Sequence, residues 1–249
     1  MEHRRSALRT AVVWEALHEV LRARHQAVEA ERPLQVVDLG GGTGSLAVRI
    51  AELGHHVVVV DPSPDALASL ERRAAEAFVS STVRGVLGDA ATLLDVVEPA
   101  SADVVICHGV LEVVDEPARA LESAATALAE DGWLSVLAAQ RSAAVFSRAI
   151  AGHLAEARAL LQQREAAGDR ADFTPRRFSP AELRELLSSA HFSITEMRGV
   201  RVFIDHISST MVDSEPGAGD ELRALEAAVA TDQDFLAMAT QLHLLATRL

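Results

Sequence analysis

Residues 36–50 read VVDLGGGTGSLAVRI: an apolar run, then glycines at 40, 41, 42 and 44, then a helical pattern. Glycine has no Cβ, so a turn of this kind brings bare backbone close to a ligand at the carboxyl edge of a strand. The next apolar run, 57–60, is followed by Asp61. An acidic side chain at the end of the second strand accepts hydrogen bonds from a ribose diol. The two features together predict a site for a nucleotide-like ligand.

Short apolar runs alternate with helical patterns on both sides of this turn. The predicted strands cover residues 35–39, 57–60, 83–87, 103–107 and 133–139, followed by a strand-like stretch at 192–204 and an apolar run at 242–249. Continuous β-branched strands separated by helices are typical of a parallel sheet covered on both faces. The sequence therefore predicts an α/β fold with a doubly wound, mostly parallel sheet of seven strands.

The predicted domain organisation is a single domain over residues 1–249. A helix over residues 6–30 opens the chain and stops before Pro33. The pattern changes at residues 142–178, where a long alanine- and arginine-rich helix (142–165) leads into an arginine-rich loop. We interpret this insertion as a helical lid over the carboxyl edge of the sheet, where ligands of such sheets bind.

Composition excludes several kinds of chemistry. The chain has no lysine, which rules out a Schiff-base lysine and a phosphate-loop lysine. A net charge of −13 argues against broad nucleic-acid binding, although a local arginine patch could still contact phosphate. The single cysteine and the lack of a signal or membrane-spanning pattern predict a cytoplasmic protein without membrane attachment. No residues have the spacing of a metal site, so we expect no metal.

The glycine spacing separates two classes of cofactor. A dinucleotide fingerprint, G-x-G-x-x-G, needs its third glycine where this chain has Ser45. The alternative pattern, two aliphatic residues and an aspartate (Asp38) before G-x-G-x-G, is met in full and favours an adenosine-type cofactor. Asp89-Ala90 follows the third strand, where an acid and a backbone N–H could hold an adenine edge. Asp89 also fits a helix N-cap, and this alternative stays open.

The glycine turn 40–44, Asp61, the GDA at 88–90 and the CHG at 107–109 resemble the class I S-adenosylmethionine-dependent methyltransferase family. The resemblance implies a Rossmann-like fold and S-adenosyl-L-methionine as the cofactor. The segments ALRTAVVWEAL, CHGVLEVVDEP and RGVRVFIDHI are similar to the tRNA 5-carboxymethoxyuridine methyltransferases, which methyl-esterify the carboxylate of a modified wobble uridine. The resemblance further implies that Arg9 contacts the carboxylate of the cofactor and that His108 lies beside the sulfur of the cofactor. The other implied cofactor-binding residues are Asp38, Gly40, Gly41, Gly42, Asp61, Asp89 and Ala90.

Residues at the end of the fourth strand, together with Arg201, indicate which chemical class of methyl acceptor fits the site. Cys107 has no preceding proline, so we interpret it as a buried apolar side chain and not as a nucleophile. His108 is either a general base for a hydroxyl or a residue lining the cofactor pocket. We place Arg201 in a strand, where it either orients a substrate carboxylate or pairs with Asp205.

The sequence thus predicts direct methyl transfer to an oxygen, with a carboxylate as the favoured acceptor and His108 and Arg201 as candidate catalytic residues. The acceptor is either tRNA, which the terminal segments favour, or an acidic small molecule, which the net charge and the missing lysines favour. An N-methyltransferase of metabolism and a non-catalytic cofactor-binding partner remain alternatives. The oligomeric state stays open.

Overall fold

A computed structural model describes residues 2–28, 32–162, 175–208, 210, 212 and 215–249. The strands are β1 (Gln35–Leu39), β2 (His56–Asp61), β3 (Val83–Leu87), β4 (Ala102–His108), β5 (Leu128–Ala139), β6 (Phe192–Val200) and β7 (Gln241–Arg248). The helices are α1 (Glu2–Ala27), α2 (Ser45–Ala51), α3 (Pro64–Glu76), α4 (Leu93–Val96), α5 (Pro117–Ala127), α6 (Arg141–Ile150), α7 (Leu154–Gln162), α8 (Pro180–Ser189) and α9 (Ala218–Val229). The predicted α/β class is confirmed.

One seven-stranded sheet runs in the order β3-β2-β1-β4-β5-β7-β6. The pairs of β1 with β2 and β4, of β2 with β3 and of β4 with β5 are parallel. The chain order reverses between β1 and β4, which makes this the topological switch point where ligands of open α/β sheets bind. Because Leu39 is in register with both Val60 and Cys107, the carboxyl ends of β1, β2 and β4 lie at one level of the sheet.

Two predicted helices have different bounds in the structure. Helix α1 begins at Glu2 and ends at Ala27, so the predicted range of 6–30 was wrong at both ends, and residues 29–31 lie outside the described residues. The helix predicted over 142–165 is two helices, α6 and α7, which are separated at Gly152. Gly152 has a φ of 83°, a left-handed conformation that interrupts a helix. Most of the predicted lid loop, residues 163–174, is outside the described residues.

Two strands also depart from the prediction. Strand β5 begins at Leu128, ahead of the predicted residue 133, and the Asp131-Gly132 pair, which is typical of a turn, lies inside the strand. Asp131 has a φ of 58°, and the pairing of β4 with β5 shifts register nearby, so the turn signal marks a β-bulge-like irregularity. Strand β6 ends at Val200, so Arg201 follows the strand and the prediction that it lies in one was wrong.

The chain divides into two compact units. The first unit comprises Met1–Ala16, Ala138–Leu183 and Glu196–His243, and it contains α6, α7 and α9. The second unit comprises Leu17–Leu137, Arg184–Thr195 and Leu244–Leu249, and it contains β1 to β4 with the glycine turn. None of the helices in the described part of the chain is long and apolar enough to span a bilayer.

A buried ion cluster in the second unit ties α1 to the amino ends of β1 and β4. Asp103 is fully buried and accepts hydrogen bonds from Arg24 at 3.2 Å, from Arg32 at 2.7 and 3.0 Å, and from the backbone N–H of Gln35 at 2.8 Å. Burial alone would raise the pKa of Asp103, but the hydrogen bonds from Arg32 and Gln35 hold this pKa below its ordinary value. The cluster fixes the two strands whose opposite ends carry the glycine turn and His108.

Helix α3 begins at Pro64, three residues after Asp61, and its first turn is capped. Ser63 Oγ accepts a hydrogen bond from the N–H of Ala66 at 3.2 Å, with Pro64 at the first helical position. We expect Ser63→Ala to lower the free energy of unfolding by about 1 kcal/mol, measured by urea denaturation, because the helix loses its cap. Ser69→Ala is the control, since Ser69 Oγ only donates to the carbonyl oxygen of Asp65 within the helix. Equal losses in the two variants would contradict the capping role.

Candidate active site

The glycine turn joins β1 to α2, and its glycines are required for different reasons. Gly40, Gly42 and Gly44 have φ values of 70°, 55° and 72°, in the left-handed region that glycine adopts without strain. A Cβ at Gly40 would come within 2.6 Å of Val110, whereas a Cβ at Gly42 would meet only Asp61, at 3.9 Å. Packing therefore leaves the space at Gly42 open, as a ligand that approaches the backbone requires.

Asp61 holds this turn from the end of β2. Its carboxylate is buried, with Oδ2 accepting the N–H of Gly42 and Oδ1 accepting the N–H of Ser63, both at 2.9 Å. Each carboxylate oxygen can accept a further hydrogen bond. Asp61 can thus fix the glycine turn and bind two vicinal hydroxyls of a ligand at the same time.

Asp38 lies beneath the turn, and one of its carboxyl oxygens makes no hydrogen bond within the described part of the chain. The residue is 2% exposed, and its Oδ2 has no hydrogen-bond partner among the residues that the structure describes. A Cβ at Gly41 would collide with this carboxyl group, so only glycine fits above it. Burial, and then the negative charge of Asp61, raise the pKa of Asp38 to about 7. A buried carboxyl group in this state is typical of a site that binds a donor or a cation.

His108 and Cys107 end strand β4. The Nε2 atom of His108 lies 2.8 Å from Ser135 Oγ, and burial lowers the pKa of His108 to about 4. The imidazole is therefore neutral at pH 7. Cys107 is 1% exposed, and burial, with the negative charges of Glu112 and Asp38, raises the pKa of its thiol above its ordinary value. A buried thiol of this kind is not a nucleophile, in agreement with the interpretation from the sequence.

Asp89 and Ala90 follow β3. Asp89 Oδ1 accepts hydrogen bonds from the N–H groups of Ala91 at 2.9 Å and Thr92 at 3.0 Å. The hydrogen bond from Thr92 is the largest cause that lowers the pKa of Asp89. Helix α4 begins at Leu93 with Thr92 at its N-cap position, so Asp89 holds the turn ahead of the helix and is not its N-cap. These bonds occupy one carboxylate oxygen. Contacts of Asp89 and of the buried Ala90 with an adenine stay a prediction.

Arg9 and Arg201 both pair with Asp205 in the first unit. Arg9 Nη2 lies 3.1 Å from Asp205 Oδ1, Arg201 Nη2 pairs with Asp205 Oδ2, and Arg201 Nη1 donates to Gln241 Oε1 at 3.4 Å. The ion pair with Asp205 that the sequence left open is thus present. The side chains of Arg9 and Arg201 are 42% and 25% exposed, and each guanidinium has five N–H donors. We call these two residues the arginine pair; it retains donors for an anion.

The turn that carries Arg201 is fixed by a residue that the sequence analysis missed. Glu226, on α9, is 3% exposed, and its carboxylate accepts the N–H groups of Val202, Phe203 and Ile204, each at 2.9 Å. Thr240 Oγ1 donates to the carbonyl oxygen of Arg201 at 3.1 Å. Arg201 has a φ of 62°, which is rare for a residue with a side chain, so these bonds hold an unfavourable backbone.

A signal for Glu226 is present in the sequence. Leu222, Glu226 and Val229 are the buried residues of α9, and they follow the i, i+4, i+7 spacing of an apolar stripe. An acid in such a stripe requires several hydrogen-bond donors, because a buried charge is otherwise costly.

The structure thus gathers the predicted residues into two sets. Asp38, Gly40, Gly41, Gly42 and Asp61 lie together at the glycine turn of the second unit. In the same unit, Asp89 and Ala90 follow β3, and His108 is the last residue of β4. Arg9 and Arg201 form the arginine pair of the first unit. Within the described residues, no group of three or more His, Cys, Asp or Glu side chains is arranged to hold a metal ion.

The chain is similar to known methyltransferases. Residues 37–134 match the family model described as a methyltransferase domain. The chain is 26% identical over 241 residues to the tRNA 5-carboxymethoxyuridine methyltransferase of Escherichia coli (strain K12), covering 97% of this chain and 88% of that protein. It is 30% identical over 187 residues to the ubiquinone biosynthesis O-methyltransferase of Paraburkholderia phytofirmans, covering 74% of this chain and 76% of that protein.

A solved structure shares the fold. The crystal structure of magnesium protoporphyrin IX methyltransferase from Synechocystis PCC 6803, with bound SAH, superposes with a TM-score of 0.59 at 18% identity. The alignment covers 98% of this chain and 83% of that chain.

Proposed function

The chain belongs to the class I S-adenosylmethionine-dependent methyltransferase family, and on that premise we propose that it methylates a carboxylate oxygen of its acceptor. The cofactor, S-adenosyl-L-methionine, supplies an electrophilic methyl group when bound. The residues at the glycine turn fit this molecule: Asp61 has free lone pairs for a ribose diol, and the unpartnered oxygen of Asp38 suits an ammonium group. Gly42 leaves space for the ligand beside Asp61.

Each remaining residue receives one role in this proposal. Arg9 binds the carboxylate of the cofactor, as the family resemblance implies, and Arg201 orients the carboxylate of the acceptor. Asp205 pairs with both guanidinium groups, and Glu226 fixes the turn that carries Arg201. An acceptor carboxylate has a pKa of about 4 and is already ionised at neutral pH. Orientation of the acceptor and exclusion of water from the site therefore account for most of the rate enhancement.

The observation that carries the proposal is the lowered pKa of His108, whose side chain contacts Ser135. A base with a pKa of about 4 is poorly matched to a hydroxyl acceptor at neutral pH, and Ser135 already contacts one of its ring nitrogens. Transfer to a carboxylate needs no base, and the arginine pair offers cations to hold such an acceptor. His108 is then a residue that lines the cofactor pocket.

For the acceptor we propose the carboxymethoxy group of a modified wobble uridine in tRNA, acting in the cytoplasm. Similarity to the tRNA enzyme over 97% of the chain supports this choice. An acidic small molecule is the second candidate, supported by the net charge of −13 and by the ubiquinone-biosynthesis relative. The test incubates purified protein and isotope-labelled cofactor with tRNA bearing the free acid, and in parallel with a panel of small carboxylic acids. Mass spectrometry of the nucleosides and acids should find label in the nucleoside methyl ester.

Label in the small acids alone would replace tRNA by the second candidate. Absence of turnover with every acceptor, in a protein that binds the cofactor, would favour a non-catalytic partner.

The pH dependence of the reaction distinguishes the two kinds of acceptor. We expect kcat/KM for the acceptor to stay within about twofold between pH 6 and pH 9, because the acceptor is ionised and His108 is neutral throughout this range. The pKa of about 7 of Asp38 belongs to the protein without ligand, and the ammonium group of saturating cofactor, placed by this proposal against Asp38, keeps that carboxylate ionised. Stopped-time assays at saturating cofactor measure this profile. His108→Asn, which keeps a hydrogen-bonding group toward Ser135, should have the same flat profile. A rate that climbs through neutrality and is lost in His108→Ala would instead indicate a hydroxyl acceptor with His108 as its base.

A further inference from the structure

The first unit, which contains the arginine pair, also contains an exposed aromatic ring. Phe146, on α6, is 52% exposed, although large aromatic side chains are usually buried. Its ring stands edge-on to that of His206, with the centroids 5.8 Å apart and an interplanar angle of 83°. His206 directly follows Asp205, the residue on which Arg9 and Arg201 converge. The ring and the arginine pair therefore contact two consecutive residues of the chain, His206 and Asp205.

The helix that carries this ring is firmly placed. Gln140 is 1% exposed and caps α6 by accepting the N–H of Ala143 at 2.9 Å. Its amide also donates to the carbonyl oxygens of Leu236 at 3.3 Å and Ala237 at 3.1 Å. A side chain amide with all of these bonds fixes the first turn of α6. The exposed ring of Phe146 is therefore presented from a fixed element, as a binding group should be.

We propose that Phe146 is a platform for a planar ring of the acceptor, and that Arg201 binds a carboxylate carried by that ring on a short linker. The inference rests on the proposed function and narrows its substrate to ring-bearing acids. Charge and shape both favour this occupant: the arginine pair requires an anion, and the half-exposed aromatic ring gains by stacking on a flat one. An aliphatic acid would use the arginine pair and leave Phe146 exposed to water.

Two small acids that share a carboxymethoxy group test the platform. Phenoxyacetate carries a ring on that group and methoxyacetate does not. Binding of each acid to the protein saturated with S-adenosylhomocysteine is measured by calorimetry or by ligand-detected NMR. We expect the wild-type protein to bind phenoxyacetate about 10-fold more tightly than methoxyacetate, the order of magnitude of stacking one ring on an aromatic side chain. Phe146→Ala should lose this preference, and Phe146→Trp should retain it.

Ile150→Ala is the matched control, because Ile150 lies one turn further along α6 and is 61% exposed. It should bind both acids as the wild-type protein does. Equal affinity of the wild-type protein for the two acids, or an unchanged preference in Phe146→Ala, would overturn the platform and leave carboxylate methylation standing. If neither acid binds while the cofactor does, both the platform and the proposed acceptor class are wrong.

Discussion

Arg201→Lys is expected to lower kcat/KM for the acceptor by about 100-fold or more, while the dissociation constant of S-adenosyl-L-methionine changes by less than about twofold. Lysine keeps the positive charge but loses the planar fork that holds a carboxylate with two parallel hydrogen bonds. The guanidinium group of Arg201 contacts Asp205 and Gln241 and, in the proposed complex, uses its remaining N–H donors for the acceptor. An ammonium group has too few donors in fixed directions to make all of these contacts. Misorientation of a reacting group by about 1 Å costs rates of this order.

The controls separate an acceptor contact from a general defect. Arg198→Lys changes a nearby arginine of β6 that pairs with Glu196 at 2.9 Å, and it should leave kcat/KM nearly unchanged. Arg9→Ala should behave in the opposite way to Arg201→Lys: it should weaken binding of the cofactor, because the proposal makes Arg9 the partner of the cofactor's carboxylate. A loss of folding in Arg201→Lys, measured by thermal denaturation, would leave Arg201 as a structural ion pair with Asp205.

Asp61→Ala is expected to weaken binding of S-adenosyl-L-methionine and S-adenosylhomocysteine by roughly 5- to 150-fold, which corresponds to about 1–3 kcal/mol. The carboxylate has two roles in the proposed complex, because it positions the N–H groups of Gly42 and Ser63 and is expected to accept hydrogen bonds from the ribose. Asp61→Asn should have a smaller effect, since one amide oxygen remains as an acceptor. Titration calorimetry measures both variants, and NAD should show no binding to the wild-type protein.

The matched control is Asp65→Ala, which removes an exposed carboxylate from the first turn of α3 and leaves the glycine turn unchanged. Its effect on cofactor affinity should be within a few tenths of a kcal/mol, as for other surface substitutions. An unchanged affinity for the cofactor in Asp61→Ala, or tight binding of NAD to the wild-type protein, would contradict the proposal that this turn binds S-adenosyl-L-methionine.

The structure of the glycine turn was predictable because its signals are local. The glycine turn and Asp38 lie in one stretch of chain, and parallel strands bring the ends of β1, β2 and β4 to one edge wherever the strands are recognised. The sequence could not reveal that Asp38 is buried with an unpartnered oxygen, since this depends on how the turn folds over it.

The surroundings of the arginine pair were less predictable because their contacts join distant parts of the chain. Glu226 reaches the N–H of Val202 across 24 residues, and the ring of Phe146 meets that of His206 from another segment. Periodicity also misled at two places: the alanine- and leucine-rich pattern continues through Gly152, where the helix breaks, and the apolar run of β6 continues past Val200, where the strand ends. At both places a single residue with positive φ overrides a pattern that spans many residues.

The division of the chain into two interleaved units has a consequence for biosynthesis. The glycine turn at residues 40–44 emerges early from the ribosome, yet the unit that contains it also includes Arg184–Thr195 and Leu244–Leu249. In that unit the N–H of Leu249 donates to the carbonyl oxygen of His191 at 2.9 Å, and Arg248 donates to the carbonyl oxygen of Ala125 at 3.3 Å. Domains made of one continuous segment can fold during translation, in chain order. Here the cofactor-binding unit is completed only after strand β7 has been translated, so nascent chains shorter than this carry the glycine turn without its full support.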